Sequence, residues 1–295
     1  MFKRIALFVF TNILILVTIS LVLQVLGVRP YITAQGIDYQ SLMIFCLIWG
    51  MTGSFISLAM SRMMAKWMMK VQVINPGAAG ELNWLVQSVH QMSRKANLPA
   101  MPEVGIYESP EVNAFATGPT KSRSLVAVST GLLRTMNREQ VEGVLGHEVA
   151  HIQNGDMVTM TLIQGVINAF VMFFARVIAY AVSQRINSEN RYMVQFAITI
   201  VLQILFGILG YLVVSWFSRQ REFRADAGAA SLAGRQQMTS ALEALQKLYS
   251  PDVEEEAQRV PSMAAMKISG SRKKWGALFS THPPIEERIR RLKAY

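Results

Sequence analysis

The sequence predicts a mainly α integral membrane protein, with four candidate transmembrane helices joined to an α+β part that carries a small sheet. Three observations lead there. Hydrophobic residues make up 52% of the 295 and mean hydropathy is +0.29, which is too apolar for an ordinary water-soluble domain. Residues 5–28, 39–61, 157–175 and 192–217 contain no Lys, Arg, Asp or Glu, and about 20 residues of helix cross a hydrocarbon core. The stretches around them carry helical and alternating apolar spacing of the kind that builds a packed unit.

The first apolar stretch follows Lys3-Arg4. It is too long for a signal peptide core and lacks a small-residue cleavage site, so it reads as a retained anchor. The second contains Cys46, the only cysteine. With no partner for an intrachain disulfide, Cys46 suits a reducing compartment and a packing role. Met63, Met64, Met68 and Met69 read as an interfacial extension of that second helix. Residues 1–61 therefore form a two-helix anchor.

The segment 62–156 opens with a predicted helix over about 76–99, where Leu82, Leu85, Val86, Val89 and Met92 repeat at helical spacing and Pro99 and Pro102 close it. Three short strands follow, at 103–107, 112–116 and 124–129, the last two joined by a Gly-Pro-Thr-Lys turn. A helix over about 138–154 then starts at Asn137, an N-cap residue with polar neighbours. His90 in the first of these helices reads as structural.

The third and fourth apolar stretches make a pair within 157–217. Arg176, Arg185 and Arg191 occupy their connection. Arginines are costly to translocate, so a re-entrant hairpin remains an alternative to two full crossings and keeps the same parity. The segment 218–295 holds a predicted helix over 229–249 and a charged run from Glu254-Glu255-Glu256 to Arg272-Lys273-Lys274 that reads as a solvated loop, about 251–275.

Basic residues set the expected orientation. Lys3 and Arg4, then Arg62, Lys66 and Lys70, then Arg219, Arg221 and Arg224 flank the apolar stretches on one side, whereas 29–38 carries only Arg29. The positive-inside rule puts the N-terminus, 62–156 and the tail in the cytoplasm. The net charge of +10 then suits an anionic membrane face. No nucleic-acid-binding module is visible, and spans with almost no internal charge argue against an ion or proton path.

Chemistry enters at His147-Glu148-Val149-Ala150-His151. Histidines at i and i+4 share one helix face and can reach one metal ion, while the glutamate between them can reach a water beside that ion. This is a zinc-hydrolase pattern. A catalytic zinc site needs a third protein ligand. The extended pattern that would supply a distal histidine is absent, because Asn154 and Met157 hold its Gly and His places. Glu222, in Ser218-Arg219-Gln220-Arg221-Glu222-Phe223-Arg224-Ala225-Asp226, is the candidate. A lone Glu among arginines is also an ordinary salt-bridge partner. Topology favours the ligand role: two crossings separate His151 from Glu222, so both return to the same side.

The chain resembles the HtpX family of bacterial membrane zinc metalloproteases, related to the eukaryotic CAAX prenyl protease. The motifs that carry the resemblance run along essentially the whole chain: the two N-terminal spans, Asn113-Ala114-Phe115-Ala116-Thr117-Gly118, His147-Glu148-x-x-His151 with Asn154-Gly155-Asp156, Glu222-x-x-x-Asp226, and Thr281-His282-Pro283-Pro284-x-x-x-Arg288. The resemblance implies a gluzincin-like domain in which His147, His151 and Glu222 bind one Zn2+ per chain and Glu148 is the general base. It implies that Asn113, Ala114 and Phe115 lie on an edge strand beside the cleft, where a peptide could pair; as residues alone they also fit an ordinary strand end. By analogy His282 could donate to the oxyanion, though a turn histidine is the plain alternative. Asp226 could orient a ligand histidine or pair with Arg288. The substrates implied are membrane proteins or unfolded polypeptides, cut at the cytoplasmic face of a bacterial inner membrane in protein quality control and stress response.

Two other functions fit parts of the pattern. A site-2-type intramembrane protease carries its zinc motif within the lipid, but here Arg138, Glu139, Glu142 and Asp156 surround it. A non-enzymatic scaffold or transporter would make the motif incidental and predicts no stoichiometric zinc.

Overall fold

The structure is a computed structural model that describes residues 13, 17–27, 31–33, 36–75, 80–185, 190–248 and 280–294. The basic start at Lys3-Arg4, most of the first apolar stretch and the loop over 251–275 lie outside the described residues; of that first stretch, 17–25 is helical. The chain divides into two compact units, one from Met1–Ala59 and Thr159–Val214, the other from Met60–Val158 and Ser215–Tyr295.

The first unit is helical. Among the described residues, three helices are long and apolar enough to cross a membrane: α1 (Tyr39–Met68), α5 (Asp156–Ser183) and α6 (Arg191–Leu232). Each outruns its apolar stretch because the flanking Arg, Ala, Met and Glu residues are good helix formers. Small residues let α1 and α5 approach closely. A Cβ on Gly50 would sit 2.6 Å from Gly165 O, and one on Gly165 would sit 2.5 Å from Met51 Sδ. Cys46 is fully buried with Leu42 and Ala169, which is the packing role expected of it. A two-residue hairpin, β1 (Ile32–Thr33) with β2 (Gly36–Ile37), precedes α1. Asp38 caps that helix, accepting from Gln40 N at 3.0 Å and Ser41 N at 3.2 Å. Neither hairpin nor cap is evident in a stretch so short.

The second unit is α+β. Its sheet runs β3 (Gln72–Val73), β4 (Glu103–Tyr107), β6 (Arg123–Ser129), β5 (Ala114–Thr120), with β4 parallel to β6 and the other pairs antiparallel. Strand β6 is buried along Leu125–Val128, and its alternate residues serve two cores. Val126 and Val128 pack with Leu85 and Val89 of α2 (Asn83–Lys95) and with Leu145, Val149 and Ile152 of α4 (Arg138–Asn154). Leu125 and Ala127 pack with Val71 and Tyr107, against Phe115, on the opposite face. Strand β5 pairs with β6 alone, so it is an edge among the described residues.

Several expectations change. The helix over 76–99 is a 3-10 turn at Gly80–Leu82 followed by α2, with 76–79 outside the described residues. The Gly-Pro-Thr-Lys turn is not the hairpin tip. The strand continues through Gly118 and Pro119, and the chain reverses at Lys121 and Ser122. Gly118 has φ 148 at an irregularity between Thr117 and Thr120; a side chain there would run into the Arg123 carbonyl. The helix over 229–249 is two pieces. Helix α6 continues to Leu232, Gly234 breaks it with φ 121, and α7 (Arg235–Leu248) follows. Helix α3 (Thr130–Thr135), capped by Ser129 Oγ accepting from Leu132 N at 3.0 Å, goes unseen in the sequence. A last helix, α8 (Ile285–Ala294), packs Ile289 and Leu292 against Met238 and Leu242 of α7.

Candidate metal centre

Helix α4 starts at the expected residue. Asn137 accepts from Gln140 N at 3.0 Å and Gln140 Oε1 accepts from Asn137 N at 3.1 Å, a capping box. It stops at Gly155, which is left-handed with φ 70. Lys121 reinforces that end by donating to Gln153 O at 2.5 Å, favourable at the negative end of the helix dipole. The other flank of α4 lies unusually close to the end of α6 and the start of α7. A Cβ on Gly143 would meet Gln237 O at 2.5 Å, one on Gly146 would meet Ala233 Cβ at 2.9 Å, and one on Gly228 would meet Ala150 Cβ at 2.7 Å. These glycines bring the backbones close enough for Glu222, on α6, to reach the histidine face of α4.

His147, His151 and Glu222 are all buried, and one ligand atom from each lies within 4.8 Å of the others. The two Nε2 atoms are 3.0 Å apart. Glu222 Oε2 is 3.4 Å from His147 Nε2, and Glu222 Oε1 is 3.3 Å from His151 Nε2. A carboxylate lies behind each ring, hydrogen-bonded to His151 and close to His147. His151 Nδ1 lies 2.6 Å from Asp156 Oδ2, and His147 Nδ1 lies 2.9 Å from Asp226 Oδ1. A carboxylate behind Nδ1 favours the proton on that nitrogen, so a neutral ring presents a lone pair at Nε2.

Two imidazole lone pairs and a buried carboxylate then face a common point. That donor set repels itself unless a cation occupies the point, and it matches zinc's preference for nitrogen and oxygen ligands. The electrostatics agree. Burial opposes a charged imidazole at His151, yet Asp156 and Glu222 outweigh it and raise the group to about 9. His147 is raised as well: burial lowers it, and Asp226 and Glu222 reverse that. The centre therefore favours positive charge.

Asp226, Arg288 and His282 touch this cluster. Arg288 donates to both oxygens of Asp226, at 2.8 and 2.6 Å, so Asp226 touches both the histidine and the arginine. Glu148 is half-buried, one residue along from His147, and near enough to favour the charged forms of His151 and Arg288. His282 is 62% exposed, and its Nδ1 lies 2.8 Å from Glu222 Oε2. Asn113 falls just before β5. Its carbonyl accepts from Ser129 N at 2.9 Å and its N–H donates to Ser129 Oγ at 3.1 Å. Ala114 and Phe115 are the first residues of the edge strand. His90 is structural, with Nε2 at 3.1 Å from Pro102 O.

The sequence places Asp156 in the Asn154-Gly155-Asp156 motif and among the charges around the zinc pattern, but does not reveal its contact with His151. Its signal is the glycine before it: a left-handed Gly155 turns the chain, so a carboxylate five residues after His151 points back at that ring.

Residues 80–295 match peptidase family M48. The chain belongs to that family. It is 55% identical over 302 residues to the Protease HtpX homolog of Bacillus subtilis (strain 168), covering 100% of both chains. It is 48% identical over 298 residues to that of Methylacidiphilum infernorum (isolate V4), covering 99% of each. The crystal structure of S. mikatae Ste24p has a similar fold, with a TM-score of 0.65 at 17% identity. The match covers 99% of this chain but 64% of that one. Membership of M48 makes this chain a membrane-bound metalloendopeptidase. The expectation of a membrane protease is met, and the scaffold or transporter alternative falls away.

Proposed function

We propose that this M48 peptidase is a zinc endopeptidase of a bacterial inner membrane, cutting membrane or unfolded proteins at cytoplasmic segments as part of protein quality control. One observation carries the zinc reading: His147, His151 and Glu222 converge, with a carboxylate beside Nδ1 of each histidine. When bound, zinc supplies a Lewis acid that polarises a carbonyl and eases the ionisation of water. The protein's own residues do the rest. Glu148 accepts a proton from the attacking water and passes it to the leaving amine. Asp226, gripped by Arg288, orients His147, and Asp156 orients His151.

The edge position of β5 supports peptide binding. An extended substrate can add a strand beside Asn113, Ala114 and Phe115, gaining affinity from main-chain hydrogen bonds with little sequence demand. The four-span topology, with the N-terminus and site in the cytoplasm, rests on the apolar stretch at 5–28 and on the placement of Arg62, Lys66, Lys70, Arg219, Arg221 and Arg224. Helix α4 is not among the helices apolar enough to cross a membrane, which favours a site outside the lipid over an intramembrane one.

The test is zinc analysis with cleavage of a model membrane substrate in detergent, comparing wild type with Glu148→Gln. The variant should hold one zinc and lose about 10²–10⁴-fold in cleavage rate. Wild-type cleavage by Glu148→Gln sinks the mechanism, and a wild type without zinc sinks the metal reading.

A further inference from the structure

The two oxygens of Glu222 keep different company. Oε2 lies 2.8 Å from His282 Nδ1, 3.4 Å from His147 Nε2 and 3.8 Å from the Arg288 guanidinium. Oε1 lies 3.3 Å from His151 Nε2 and 3.9 Å from Arg221 Nε, and it is a buried oxygen with no hydrogen-bond donor among the described residues. Leaving a fully buried carboxylate oxygen undonated is costly. The cost is removed if that oxygen is the one offered to a cation.

His282 is built to hold the other oxygen. Pro283 and Pro284 follow it and restrict the backbone to an extended path. Ser280 Oγ donates to His282 O at 2.8 Å, and Arg219, one turn before Glu222 on α6, donates to Ser280 O at 2.9 Å. The same C-terminal segment supplies Arg288 to Asp226. It therefore grips both carboxylates of the Glu222-x-x-x-Asp226 pair from one side.

We propose that His282 is a positioning residue for Glu222: its Nδ1–H donates to Oε2, fixes the carboxylate's rotation, and leaves Oε1 as the oxygen presented to the metal. This rests on the metal reading above. It differs from the oxyanion role expected of His282. That role needs a donor at Nε2, whereas a neutral ring donating through Nδ1 has only a lone pair there.

Substitution separates the two nitrogens. Asparagine at 282 places an amide N–H near the Nδ1 position, and glutamine places one near Nε2. Zinc affinity would be measured on the purified full-length chain in detergent, by competition with a chelator, for wild type, His282→Ala, His282→Asn and His282→Gln. Thermal unfolding of the zinc-free forms would report folding separately. His282→Ala and His282→Gln should bind zinc about 10–100-fold more weakly, with His282→Asn close to wild type. Wild-type affinity in His282→Ala overturns the proposal. So does His282→Asn binding as weakly as His282→Ala, or rescue by Gln in place of Asn. If the wild type itself binds no zinc, the metal reading has failed and this proposal falls with it.

Discussion

Asp156 Oδ2 lies 2.6 Å from His151 Nδ1, and Asp156 is also the first residue of the helix that carries the third apolar stretch. A candidate ligand is thus oriented by the residue that begins a candidate membrane span. Its other oxygen lies 3.6 Å from the exposed Arg224. Replacing Asp156 by Ala should free the His151 ring and weaken zinc binding by about 10–100-fold. Chelator competition would read this directly, and an unchanged affinity would remove Asp156 from the site.

The Asp226–Arg288 pair makes a prediction about stability. Both side chains are buried and joined by two hydrogen bonds. Arg288→Met should cost about 3–5 kcal/mol by stranding a buried carboxylate. The double variant Arg288→Met with Asp226→Leu should recover part of that loss, because no uncompensated charge remains. Denaturant unfolding of the zinc-free protein measures both; equal losses in the single and double variants would count against a charge-pair role.

Close packing of α4 gives a paired test. Gly143→Ala places a methyl against the Gln237 carbonyl, which belongs to backbone and cannot swing away. The expected cost is about 1–3 kcal/mol, with weaker zinc binding because Glu222 is pushed from the histidines. Gly53→Ala meets nothing within 4 Å inside α1 and should be neutral or stabilising by about 0.5–1 kcal/mol. Melting temperatures that move the same way in both variants would contradict the close-approach account.

The hairpin offers a further check. Gly118, at φ 148, has no room for a side chain beside Arg123. Gly118→Val should loosen β5 against β6 and raise the KM for a peptide substrate more than it lowers kcat, if the edge strand binds substrate. A change confined to kcat would argue against that strand as the docking edge.

What was readable in the sequence was local. Asn137 and Gln140 are a capping pair three residues apart, and they place the start of α4 to the residue. His147, Glu148 and His151 needed only helical periodicity. Glu222 and the histidines required topology, which the apolar stretches supplied. What was not readable depends on partners distant in sequence. Gln72–Val73 is a strand only because Gly105 and Ile106 lie beside it. Gly118-Pro119 looks like a turn but lies in a strand irregularity, because the pairing of Thr120 with Arg123 moves the reversal onward. The run from Arg219 to Arg224 looks like a boundary, yet charged residues with good helix propensity let α6 continue through it.

Helix α6 is continuous over 42 residues, about 63 Å of axis, with the apolar run at 192–217 and Glu222 on the same rod. No linker separates them. A water-soluble form of this enzyme therefore cannot be obtained by trimming the gene at a domain junction, since any cut there ends inside a helix that the centre needs. It would have to come from recoding the outward-facing surface instead, exchanging exposed residues such as Phe196, Ile204 and Leu209 for polar ones while the backbone of the rod is left whole.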